Sequence, residues 1–115
     1  MQVIRIIAFF VWTCLIIMLS TRANLPSSAG LVQVPGIDKI GHAGAYFIWS
    51  LLAFWVLSGR KRSTWMVILL ATALGIGLEY VQLLFFPTRF FEVLDILSNI
   101  IGALSSLLVK RFLTP

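Results

Sequence analysis

TWMVILLATALGIGLEYVQLLFF, residues 64–86, decides the fold: it begins just after the basic triplet Arg60-Lys61-Arg62, ends at Pro87, and carries one charged residue, Glu79. At about 1.5 Å per residue such a run crosses the roughly 30 Å hydrocarbon core of a bilayer. It lacks apolar/polar alternation, and lipid admits only helices or closed barrels, so it reads as a transmembrane helix.

Working outward, three further apolar runs cover residues 3–19, 40–57 and 91–109. The chain is 60% hydrophobic and 11% charged over 115 residues, with a mean hydropathy of +1.02. Too few polar side chains remain to cover a water-soluble globule of that size. The expected fold is all-α: a polytopic membrane protein with four transmembrane helices in an antiparallel bundle, forming one domain over residues 1–115. Short links at 58–63 and 87–90 make neighbours of the helices they join. The one long connection, 20–38, holds Pro26, Ser27, Ser28, Gly30, Pro35 and Gly36 and reads as irregular loop. The first run could instead be a signal peptide, but it is long for an h-region and Ser27-Ser28-Ala29 lies far beyond it.

Lys and Arg fall six against three on the two sides of this bundle: Arg5, Arg60, Lys61, Arg62, Lys110 and Arg111 against Arg22, Lys39 and Arg89. The richer side faces the cytoplasm, which puts both termini there and the protein in the cell membrane. Short basic clusters between apolar runs account for the net charge of +5, so no nucleic-acid partner is expected. Cys14, the single cysteine, has no partner for an intrachain disulfide and reads as a packed thiol.

The acidic residues and the one histidine gather at the opposite side. Asp38, Lys39 and His42 open the second helix, Glu79 and Gln82 sit near the end of the third, and Arg89, Glu92, Asp95 and Asn99 surround the start of the fourth. Counted from residues 86 and 91, Glu79 lies about 10 Å deep, level with Asn99. Asp95 then comes level with Gln82, which predicts the pairs Glu79–Asn99 and Gln82–Asp95. Glu79 and Gln82 share a helix face, as do Asp95, Asn99 and Gly102. Gly41 and Gly44, Gly75 and Gly77, with Gly102 and Ala103, are expected to let the helices approach closely.

Each of these residues has two readings. Asp38 is an N-terminal helix cap, or a charged partner that makes His42 a proton donor. Lys39 snorkels to the interface, or joins Arg89 in binding phosphate. Arg89 alternatively pairs with Glu92 or Asp95. A carboxylate as deep as Glu79 must be protonated, paired or hydrated, so it marks either a functional site or helix adhesion. One histidine with scattered carboxylates lacks ligand spacing, so no metal is expected, and no cofactor. Trp12, Trp49, Trp55, Trp65 and the aromatics from Phe85 to Phe91 read as interface and core anchors, with Phe85, Phe86, Phe90 and Phe91 framing the polar opening.

Asp38-Lys39-Ile40-Gly41-His42 leading to Tyr46, then Gly77-Leu78-Glu79-Tyr80-Val81-Gln82, followed by Arg89, Asp95, Asn99 and Gly102, resembles the VanZ-like family of small bacterial membrane proteins. The resemblance runs from about residue 20 to 108. It implies a family site at Asp38, Lys39, His42, Glu79, Gln82, Arg89, Asp95, Asn99 and Gly102, without settled roles. It also implies a link to teicoplanin resistance, known for the founding member, and no defined reaction.

Three functions compete. The first is an envelope protein whose outer-leaflet pocket (Lys39, His42, Glu79, Gln82, Arg89, Asp95, Asn99) binds an anionic lipid, a lipid-linked wall precursor or a glycopeptide, with Asp38 and Gly102 structural. The second is an intramembrane enzyme acting on a lipid head group, with Glu79 or Asp95 as base and His42 as acid. The third is proton-coupled transport, in which a homo-oligomer builds the path.

Overall fold

The computed structural model describes residues 1–21, 36–58, 63–86 and 90–113. Within them the chain is all-α: α1 (Gln2–Ser20), α2 (Ile37–Val56), α3 (Ser63–Phe85), α4 (Val93–Ser105) and α5 (Leu107–Leu113). α4 and α5 form one rod, Val93–Leu113, interrupted at Ser106. Three helices are long and apolar enough to cross a membrane: α1, α3 and the α4–α5 rod. α2 is of similar length, but Asp38, Lys39 and His42 crowd its first turns. The bundle measures 43 × 25 × 24 Å, and its long axis matches a bilayer with its head-group layers.

Side-chain pairs fix the helix directions. α1 runs antiparallel to α2: Gln2 Nε2 donates to the Val56 carbonyl at 3.0 Å, Phe9 packs on Trp49, and Trp12 Nε1 donates to the Ala45 carbonyl at 3.0 Å. α2 and the α4–α5 rod run parallel, since Lys39 meets Asp95, His42 meets Asn99, and Lys110 lies over the Phe54 ring. Antiparallel α3 brings Thr64 to Lys110 at one end and Glu79 to Glu92 at the other. α2 is therefore the central element and touches every other helix.

The close approach of α2 and α4 has a local cause. A Cβ built on Gly102 would stand 2.7 Å from the Ala43 carbonyl carbon, so only hydrogen fits between the two backbones. Gly75 has a similar but softer constraint, with its virtual Cβ 2.7 Å from Nδ2 of Asn99. Gly41, Gly44 and Gly77 have nothing within 4 Å, so they do not serve the close approach expected of them. A glycine helps packing only where the crossing point falls on it.

Of the aromatics expected to anchor interface and core, Trp49 belongs to the core: it is buried, and its Nε1 donates to Thr13 Oγ1 at 3.0 Å. Thr13→Val removes that acceptor between α1 and α2, with an expected loss of about 0.6 kcal/mol in detergent unfolding. A loss above about 2 kcal/mol would mean the bond carries more than a typical interhelical one. Cys14 is exposed rather than packed. So are Ile4, Ile7, Phe10, Val11 and many other large apolar side chains, a surface that suits lipid and not water.

Candidate functional site

The polar end is built from the first turns of α2, the last turns of α3 and the first turns of α4. α2 starts at Ile37, three residues earlier than the apolar pattern suggests, because Gly36 (φ 85°) takes the left-handed conformation at the cap position. Asp38 therefore lies in the first turn, and the helix has no side-chain cap. The capping reading of Asp38 gives way to pairing: its Oδ2 accepts from Lys39 Nζ at 2.9 Å.

Lys39 is the hub on the exposed side. Its ammonium also bonds the carboxylates of Glu92 and Asp95, so it neither snorkels alone nor stands open to a phosphate. Oxygens of Asp38, Glu92 and Asp95 lie within 4.8 Å of one another, close enough to hold a cation, and the Lys39 ammonium bonds all three. A tethered cation thus satisfies the acidic rim.

Beneath the rim the groups are buried. Glu79, Gln82 and Asn99 are each at most 3% exposed, and Asp95 is 8% exposed. Glu79 Oε2 accepts the backbone N–H of Glu92, the residue at the α4 cap position, at 3.2 Å. A carboxylate from α3 thereby serves the unsatisfied amino end of α4, where negative charge is favoured. The Glu79 and Asp95 carboxyls also come within hydrogen-bonding reach of each other. Asp95 Oδ2 stands 3.6 Å from His42 Nε2, and His42 Nδ1 lies 3.1 Å from Asn99 Oδ1. Both imidazole nitrogens therefore face acceptor oxygens.

The partners differ from those counted along the sequence. Glu79 meets Asp95 and the Glu92 amide, not Asn99. Asn99 sits beside Gly75 and His42. The ladder is displaced by one helical turn, because Glu92 is already level with Glu79 when α4 begins. Counting both helices from a common plane misses that offset. Gln82 does not meet Asp95 either: its Nε2 donates to the Ser20 carbonyl at 2.7 Å, tying the end of α1 to α3. Ser20 gave no signal of this, since the acceptor is a terminal backbone carbonyl, which any helix end presents. Glu92 was legible as a charge before an apolar run, but its two contacts were not. Arg89 falls outside the described residues.

Access to the cluster is from the end of the bundle. The side chains of Lys39 and His42 are about a quarter exposed (23% and 26%), and those of Asp38 and Glu92 about half (52% and 48%). Phe85 and Phe90 are exposed nearby, and Tyr80 packs on Phe91 with ring centroids 5.2 Å apart. The arrangement offers a buried carboxyl pair linked through an imidazole to a rim of charge, ringed by aromatic surface.

No family model matches the chain, and no solved structure matches it. It is similar to an uncharacterized protein of Schizosaccharomyces pombe, 34% identical over 84 residues, which cover 71% of this chain and 51% of that protein. The chain thus spans about half the length of this curated relative.

Proposed function

We propose that the chain is a multi-pass protein of the VanZ-like kind, with four spans and both termini cytoplasmic, whose polar end binds a lipid head group in the outer leaflet of the cell membrane. The reading is carried by one observation: the acidic side chains of α2, α3 and α4 converge with His42 and Asn99 at one end of an otherwise apolar bundle. Ionisable groups are costly there, and an adhesive role needs fewer of them. Among the described residues at this end, four carboxylates outnumber one lysine, so the cluster suits hydrogen-bond donors, the hydroxyl or amino groups of a head group. Recognition of phosphate falls to Arg89.

Mass spectrometry of co-purifying lipid tests this. Wild type retains a defined lipid, and the Glu79→Gln, Asp95→Asn double variant, folded by circular dichroism, loses about tenfold or more of it, as expected for two charge-assisted bonds. Equal lipid in both proteins sinks the proposal. The contact chain Glu79, Asp95, His42 favours one second reading, acid–base chemistry on that head group. Its mark is head-group turnover abolished by Glu79→Gln or His42→Ala. Proton-coupled transport is the remaining reading, in which an oligomer would carry protons over the same carboxyls, with a Glu79-dependent flux in proteoliposomes as its sign.

A further inference from the structure

The end of the bundle opposite the polar cluster holds Arg5, Lys110 and Arg111 and no acidic residue, since all four carboxylates of the chain belong to the polar cluster. Arg5 is fixed in place: its Nη1 donates to the Trp55 carbonyl at 3.3 Å and to Ser58 Oγ at 2.9 Å, and its guanidinium lies 5.2 Å from the centroid of the Trp55 ring.

Trp55 also lines a groove of about 280 Å³ on the outward face of α2, together with Ile48, Leu51, Leu52 and Leu113. Ile48, Leu51, Leu52 and Trp55 follow i, i+3, i+4, i+7 spacing, a single helix stripe, and Leu113 closes the groove from α5. Every lining side chain is apolar except for the indole N–H of Trp55. A positively charged guanidinium therefore lies against an aromatic ring that also lines an apolar groove. The Trp55 ring connects the two parts.

We propose that this end binds an anionic phospholipid, with one acyl chain in the groove and the phosphate against Arg5. The inference needs the bundle to span a membrane but does not depend on what the polar end holds. Charge complementarity selects the occupant: a zwitterionic lipid brings its own cation and repays the basic end less. Arg5 orders the site through its bonds to the α2 terminus, and Leu52 and Leu113 set the width of the channel.

Native mass spectrometry of the purified full chain, titrated with phosphatidylglycerol or phosphatidylcholine of the same chains, reads the preference directly. Phosphatidylglycerol binds about fivefold tighter, the effect of roughly one basic residue at a lipid surface. Arg5→Gln brings the two lipids to equal affinity. Because Arg5 also holds α2, Leu52→Trp is the second variant: it fills the groove, leaves the Arg5 bonds intact, and weakens both lipids. Equal binding of the two lipids by wild type overturns the proposal, as does a preference that survives Arg5→Gln, or lipid binding that Leu52→Trp leaves undiminished. Glycerol phosphate competing as well as the intact lipid also overturns it, since the site would then be one for free phosphate.

Discussion

Gly102→Ala is expected to destabilise the bundle by about 3 kcal/mol, the upper end of the usual cost of overpacking. The added methyl would fall on the carbonyl of Ala43, and a backbone group cannot swing aside as a side-chain tip can. α2 and α4 must separate, and the same movement draws His42 away from Asn99 and Lys39 away from Asp95. Gly44→Ala and Gly77→Ala are the controls: both positions are open, and each change should stay within about 0.5 kcal/mol of wild type. Helicity followed through a sodium dodecyl sulfate titration in mixed micelles measures all three. Equal stabilities for the three variants would show that the α2–α4 contact does not rest on Gly102.

That contrast marks how far the sequence could be read. The helices were legible because apolar runs such as residues 64–86 leave no other structure for a chain in lipid. The convergence of charge was legible too, since Asp38, Glu79 and Asp95 each fall near a helix end on the same side. The pairings were not, because they depend on the offset that puts Glu92 level with Glu79, a tertiary property invisible to counting along two helices. The glycines carry the same lesson: Gly44 and Gly102 look alike in sequence, and only the crossing angle makes one indispensable. Trp49 was legible only as an anchor of interface or core, since an indole suits both a membrane interface and an interhelical hydrogen bond, and its partner Thr13 lies on another helix.

The site combines two economies. Its buried layer uses the amino end of α4 to stabilise Glu79, and its rim uses Lys39 to hold Asp38, Glu92 and Asp95 together. Removing one cation therefore disturbs groups on two helices at once, which makes Lys39 the more revealing residue to change. Head-group binding on the donor side would act through the same oxygens that Lys39 now occupies.

Lys39→Met is expected to cost about 2 kcal/mol near neutral pH. Breaking a buried ion pair costs about 3–5 kcal/mol, and the exposure of Asp38 and Glu92 reduces that through solvent screening. The sign of the pH response distinguishes this cause from lost packing. In the variant, three carboxylates face one another without a cation, so folding favours their protonated forms. Stability is then greatest at low pH and falls as pH rises and the carboxylates ionise. In the wild type Asp38 responds in the opposite sense, because its hydrogen bond to the Lys39 ammonium holds its carboxyl below the usual range, and that contribution is lost as acid protonates it. Thermal unfolding between about pH 2.5 and pH 7, a window that brackets the reference carboxylate values, should show the two proteins converging toward acid. Lys39→Arg, which keeps the charge, should follow the wild type. A Lys39→Met variant equally destabilised at every pH would mean that Lys39 acts through its alkyl chain, and that the acidic rim is held apart by water rather than by this ammonium.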